Sequence, residues 1–294
     1  MSRLKPGLRY EKFLSILSAR FNRIEYNRVE LDSLLQQTFP LEKLELIIID
    51  ESTDNKLESL LGEYSKYMDI TYRHVSGWKN VDGVAVMPSG KVSISWHYNH
   101  ALSFARGEIV LIETGEFLHQ QDSIWSFVTP HLERPDLIIS AQIRNLRNDI
   151  LPWIAKTDVE SYYASWVAHP IHTPLFDEMA CASVRASNLC RIGGLDEYFM
   201  RGLSAEVGEV KRRLVRSGLD FVYSDNIVGH VEHEASDKTS ESASYRAAQL
   251  NRRQLDSGYH DYTPRVKYCR PGSDLNPIYA RHLFDGIPEG LVIT

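Results

Sequence analysis

Cysteine is scarce: Cys181, Cys190 and Cys269 are the only three, and they form neither a C-x-x-C pair nor an even set. Disulfide scaffolds, zinc ribbons and thioredoxin-like motifs fall away, and the thiols read as the reduced ones of a cytosolic protein. Positive charge is not in excess either, since 33 Lys and Arg stand against 39 Asp and Glu for a formal net charge of −6. Stable nucleic-acid binding is therefore not expected. Long apolar runs are missing as well: none approaches the roughly 18 residues of a membrane span, and the basic start MSRLKPGLRYEKF has no apolar stretch behind it. The chain reads as soluble and cytoplasmic, with no transmembrane segment.

What is present suits a globular protein: 294 residues, 43% hydrophobic and 24% charged, can bury a large core without staples. Short apolar runs alternate with helical patterns. Phe13–Leu17 reads as a strand, Val29, Leu31, Leu34 and Leu35 as a helix, and Leu44–Ile49 as a second strand. Leu57, Leu60, Leu61 and Tyr64 recur at helical spacing, Ile70–Tyr72 is a third strand, and Ala101–Arg106 leads through Gly107 into Ile109–Ile112. This β-α-β order predicts an α/β fold with a mostly parallel sheet flanked by helices. Gly77 to Ser95 reads as a loop or short hairpin, and Ala235 to Ser244 as a mobile linker or lid.

Ligands of parallel sheets collect outside the carboxyl ends of the strands. Two polar clusters sit there, Asp50-Glu51-Ser52-Thr53-Asp54 and Glu113-Thr114-Gly115-Glu116. A carboxylate at 50 suits the N–H of a pyrimidine ring; alternatively Asp50 and Ser52 build a turn and a helix cap. Glu113 is a further metal-ligand candidate, or a solvated strand-end charge. Further on come Asn99 in a helical run, the turn Gly193-Gly194-Leu195-Asp196-Glu197, the helix Glu206 to Leu214, and Val228-Gly229-His230 with His233 after the strand Phe221–Tyr223.

In this order the clusters resemble glycosyltransferase family 2. Ile47 to Asp54 is similar to its strand running into V-D-D-G-S-T-D, and Trp96 to Glu108 to its N-x-A-x-x-x-A-x-G-E run. Thr114-Gly115-Glu116 falls on D-x-D with the first aspartate absent. Residues 192–197 are similar to G-G-F-D-E, and Glu206 to Gly218 to a helix beginning E-D-x-D, with Val207 at the second acidic position. Val228-Gly229-His230 resembles the metal-binding histidine of GT-A enzymes, notably the polypeptide N-acetylgalactosaminyltransferases.

The resemblance implies a GT-A fold over residues 1–234, Rossmann-like in its nucleotide-sugar half, with a lid or acceptor-side extension over 235–294. It implies a hexosyltransferase-type enzyme moving a sugar from a nucleotide diphosphate donor, UDP-sugar favoured, to a glycan, lipid-linked or other hydroxyl acceptor, with inversion. Ser18, Asp50, Ser52, Asn99, Thr114 and Gly115 would serve the donor. Glu116 and His230 would hold Mn²⁺ or Mg²⁺. Gly193, Gly194, Asp196, Glu197 and His233 would face the acceptor, with Glu206 or Glu209 as general base; for Glu209 the alternative is a surface ion pair with Arg213. Two other classes remain open: a degenerate GT-A domain that binds nucleotide sugar or a partner without turnover, and a nucleotidyltransferase. For the latter, Ser18-Ala19-Arg20-Phe21-Asn22-Arg23 is a poor phosphate loop.

Overall fold

Residues 12–52, 54–76, 79–81, 84–86, 94–146, 179–195, 206–231 and 292–293 are described by the computed structural model, a few of them, Glu206 included, through their backbone alone. The first half is β1 (Lys12–Arg20), α1 (Ile24–Leu35), β2 (Leu44–Asp50), α2 (Lys56–Tyr64) and β3 (Asp69–Ser76). A small hairpin, β4 (Lys79–Val81) and β5 (Val84–Val86), precedes α3 (Ile94–Phe104). Then come β6 (Gly107–Thr114), β7 (Phe117–Leu118), α4 (Ser123–Glu133) and β8 (Leu137–Leu146). The rest comprises β9 (Ala182–Arg185), α5 (Ala186–Arg191), α6 (Glu206–Arg216), β10 (Asp220–Val231) and β11 (Val292–Ile293).

The main sheet has nine strands in the order β11-β3-β2-β1-β6-β9-β8-β10-β7. Its long ladders are parallel: β1 with β2 and β6, β2 with β3, and β8 with β10. β9 lies antiparallel between β6 and β8, while β7 and β11 close the two edges antiparallel. Strand alternation sorts the apolar side chains into two layers. Leu14, Ile16, Leu46, Ile48, Ile109 and Leu111 face α1, α2 and α4 through Leu34, Leu60 and Phe127. Leu17, Ile47, Ile49, Val110 and Ile112 face α3, α5 and α6 through Leu102, Leu189 and Val210. Covered on both sides, β2 is buried throughout, which explains its unbroken apolar run.

The chain leaves β1 through α1 for β2 on one side, and β6 docks on the other, so the strand order reverses at β1. The crevice of such a reversal opens outside the carboxyl ends of the two strands. Arg20 to Arg23 and Glu113 to Glu116 meet there.

Two sequence readings change. Ser95 belongs to α3, which begins at Ile94, so the hairpin ends earlier than Gly77 to Ser95. Phe221–Tyr223 and His230 lie on one strand, β10, whose register shifts between Tyr223 and Ile227. That bulge absorbs the polar Ser224-Asp225-Asn226, which reads as a strand break, and Asn226 N–H donates to Ser224 Oγ at 3.2 Å within it. Among the described residues no helix is long and apolar enough to cross a membrane. The 234/235 boundary and the lid Ala235 to Ser244 lie outside the described residues.

Candidate active site at the carboxyl edge of the sheet

The end of β1 carries two arginines with different fates. Arg20 is buried and forks onto both oxygens of Glu30, the two side chains being 1% and 0% exposed. Glu30 in turn lies beside Glu113, whose Oε2 is 3.0 Å from His119 Nε2 while its buried Oε1 has no hydrogen-bond partner. Burial pushes Glu113 up to about 7 and Glu30 well above the carboxylate range, and pulls His119 down to about 4. Glu113 is thus a member of a buried network and not the solvated strand-end charge that the sequence allows.

Arg20 also explains Gly115. A Cβ there would stand 1.8 Å from Arg20 Nη1 and 2.7 Å from its Cδ. The Thr114-Gly115-Glu116 turn therefore lies directly on the arginine side chain.

Two residues on, the backbone turns outward. Asn22 adopts φ 47°, a left-handed conformation that asparagine tolerates better than most residues, and its N–H donates to Ser52 Oγ at 2.8 Å. Arg23, which precedes α1, is thereby aimed across the crevice onto the Glu116 carboxylate. The Val231 N–H donates to Glu116 O at 2.9 Å, and His230 pairs with Phe117 across the β7–β10 ladder. The two sequence-derived metal candidates are therefore neighbours in the sheet. The His230 ring rests on the Phe117 ring, centroids 5.5 Å apart.

One carboxylate and one imidazole suit Mn²⁺ better than Mg²⁺, but they make a partial shell. Among the described residues no group of three His, Cys, Asp or Glu is placed to hold a metal, and Glu116 is already neutralised by Arg23. By themselves Glu116 and His230 complete no metal site, and a cation there would need further ligands such as phosphate oxygens.

Asp50, at the end of β2, has 0% exposure. Its Oδ1 accepts from Ser52 N–H at 2.9 Å and Ser52 Oγ at 2.5 Å, and its Oδ2 accepts from Tyr72 at 2.8 Å. Burial pushes the Asp50 carboxyl up from its ordinary range against these bonds. A carboxylate so enclosed fixes the β2–α2 turn, and it meets a base only if Tyr72 gives way. Glu51 follows, 3.5 Å from His97 Nε2, with burial and the Asp50 charge pushing its carboxyl well up.

Ser52 lines a pocket of about 330 Å³ between the β1–α1 and β2–α2 turns, with Asn22, Arg23, Asn27, Asp54 and Lys56. Asn27 Nδ2 donates to Arg23 O, while its buried Oδ1 has no partner.

Ser18 and Asn99 are enclosed too. The buried Ser18 hydroxyl donates to Glu113 O at 3.3 Å from within β1. The Asn99 amide bridges Leu195, donating to its carbonyl and accepting from its N–H, both at 2.8 Å. Instead of facing a donor, Asn99 clasps α3 to the turn at Gly193 and Gly194. Those glycines have φ 86° and 75°, which side chains rarely adopt. Arg213 holds the same turn from α6, donating to Ile192 O at 2.7 Å and Gly194 O at 2.6 Å.

The Glu209 carboxylate is forked by Arg213, so this pair is present but buried, not on the surface. Glu206 opens α6. Asp196, Glu197 and His233 lie outside the described residues.

No protein-family profile and no curated protein matches the chain. Solved structures do. Over 94% of this chain and 70% of the other, it superposes on the mannosyltransferase PcManGT from Pyrobaculum calidifontis in complex with GDP-Man and Mn²⁺, with TM-score 0.56 and 18% identity. S. aureus TarS residues 1–349 in complex with UDP-GlcNAc give 0.55 and 14%, over 93% and 73% of the two chains. The chain spans 39% of a longer TarS structure, covering 83% of its own length at TM-score 0.52 and 15% identity. The fold is GT-A. Within it, Arg23, Arg20 with Glu30, and Tyr72 are site-shaping residues that sequence reading missed. The signal available was the pair of arginines in the segment dismissed as a poor phosphate loop.

Proposed function

We propose that the chain is a GT-A glycosyltransferase that takes its sugar from a nucleotide diphosphate, UDP favoured, with inversion at the anomeric carbon. The carrying observation is one continuous path at the strand-order reversal: the 330 Å³ pocket opens beside Arg23, and Arg23 reaches Glu116. That path has the sequence of chemistries a donor needs, a polar pocket for the nucleoside, a cation at the diphosphate, and an acidic edge toward the sugar.

Glu116 and His230 would hold the divalent cation, which when bound neutralises charge on the departing diphosphate. Arg23 orients the diphosphate across the β1 end. Thr114 and Gly115 present the turn that the sugar passes. The acceptor oxygen attacks the anomeric carbon, the bond to the diphosphate oxygen breaks with its electron pair leaving on the diphosphate, and the acceptor proton goes to Glu206 at the start of α6. Gly193 and Gly194 shape the acceptor side, held by Asn99 and Arg213.

Calorimetric titration with UDP-GlcNAc and GDP-mannose, in Mn²⁺ and in EDTA, tests this. A UDP-sugar should bind in Mn²⁺ and at least about tenfold more weakly in EDTA. Preference for GDP-mannose would overturn the choice of base, equal affinity in EDTA the role of the cation, and silence from both donors the donor site itself. Tight binding with no donor hydrolysis and no transfer would leave a binding module in place of an enzyme.

A further inference from the structure

We propose that Tyr72, and not Asp50, reads the nucleobase, its hydroxyl oxygen accepting the ring N–H of uracil. This rests on the donor-site reading above and deepens it, naming the atom by which uracil is told from cytosine.

Three polar side chains meet near the carboxyl ends of β2 and β3, and two of them are already engaged. Asp50 is enclosed, its Oδ1 accepting twice from Ser52 and its Oδ2 from Tyr72. The Ser52 hydroxyl gives its proton to Asp50 and accepts the Asn22 N–H. Tyr72 differs from both. It is only part-buried, and among the described residues its hydroxyl oxygen accepts no hydrogen bond.

The phenol is held in one orientation. Tyr72 stands opposite Ile48 in the β2–β3 ladder and reaches forward to Asp50, whose own ladder partner is His74. His74 Nε2 lies 2.9 Å from Ser52 O, so β3 grips the β2–α2 turn at two points. The bonds donated by Ser52 and Tyr72 favour the ionised form of Asp50 against burial, and a carboxylate only accepts. The phenol proton therefore points at Asp50. Burial, then the charges of Asp50, Glu58 and Asp54, push the phenol above its ordinary range, so that proton stays. What remains on the oxygen is lone pairs, and toward an arriving ligand Tyr72 is an acceptor.

This acceptor stands beside the pocket. Ser52 and Asp54 line the 330 Å³ cavity; one carboxylate group separates the Ser52 hydroxyl from that of Tyr72, and the Asp54 charge acts on the phenol. An oriented acceptor here separates two bases of nearly the same shape. Uracil offers it the N3–H. Cytosine has a bare lone pair at N3, which would face those of Tyr72 with no proton between them, a mismatch that costs affinity.

The test uses the full chain in Mn²⁺ with UDP and CDP as probes. The two share ribose and diphosphate, so contacts to those parts cancel in the ratio of affinities. The wild type should bind UDP about tenfold or more tightly than CDP. Tyr72→Phe keeps the ring and removes the acceptor, and UDP binding should weaken until the two probes are held within about twofold of each other. Asp50→Asn turns its amide nitrogen toward Tyr72, since both Ser52 donors need the oxygen. The phenol then accepts from the amide, its proton turns outward, and CDP should become the preferred probe. The double variant, Tyr72→Phe with Asp50→Asn, leaves no buried charge without its donor and carries the test if Tyr72→Phe alone does not fold; it should show no preference. A UDP preference that survives in Tyr72→Phe or in Asp50→Asn, or a CDP preference in the double variant, overturns the proposal. If the wild type binds UDP and CDP equally, Tyr72 does not read the base while the donor site stands; if it binds neither, the donor site fails and this reading with it.

Discussion

Gly115 has a packing reason to be glycine, because Arg20 occupies the place of its side chain; the resemblance to a D-x-D motif implies a donor role for it that packing neither needs nor tests. Arg20 is locked to Glu30, so it has no cheap way to retreat from an added methyl group. Gly115→Ala should cost roughly 1–3 kcal/mol of stability through overpacking and displace Glu116. The check is a urea midpoint together with UDP-sugar affinity in Mn²⁺, both of which should fall. A variant as stable as the wild type that binds donor normally would mean that Arg20 is not fixed. The same scale shows where sequence reading reached its limit. Asp50, Ser18 and Asn99 have the residue types and positions of donor ligands, yet the hydrogen bonds that turn each inward come from Tyr72, Glu113 and Leu195, and no local pattern announces those partners.

Among the elements, α6 was legible in extent and opaque in purpose. The spacing of Glu209 and Arg213 gives an i, i+4 pair, but the further reach of Arg213 to the carbonyls of Ile192 and Gly194 depends on how α6 packs beside the α5 turn. The two glutamates of this helix separate by experiment. Glu209→Gln removes one charge of a buried pair and should lower stability by roughly 1–3 kcal/mol while leaving the rate per folded molecule close to wild type. Glu206→Gln should cost about 10²–10⁴ in transfer rate, the usual loss of a general base, with an unchanged unfolding midpoint. Donor hydrolysis and chemical denaturation on both variants decide. The converse pattern, with Glu209→Gln inactive but stable, would exchange the two roles.

For the whole molecule, the parallel half was readable because each strand and helix carries its own period, and the GT-A resemblance rests on motifs at strand ends that those periods locate. The network under the site was not, since Arg20, Glu30, Glu113 and His119 meet only after β6 has docked on β1. That network should mark the pH dependence of global stability. Glu113 is raised by burial from an ordinary 4.5 to about 7, with Arg20 acting against the rise and Glu116 adding to it. Between those values the folded chain holds a proton there that the unfolded chain has lost, so this carboxyl makes stability fall as pH rises from about 4.5 to about 7 and stay lowered above. His119, pulled down to about 4, works the other way: the unfolded chain holds the extra proton, and stability rises from about pH 4 to about 6.5. Glu113→Gln isolates the first effect, because the amide fills the same space and never ionises. Its unfolding free energy relative to wild type should climb by on the order of 2 kcal/mol between pH 5 and pH 8. Urea unfolding at pH 5, 6.5 and 8 measures this, with most of the climb expected by pH 7. A difference that stays flat across that range would show that Glu113 is ionised in the folded chain and that Arg20 serves it as well as Glu30.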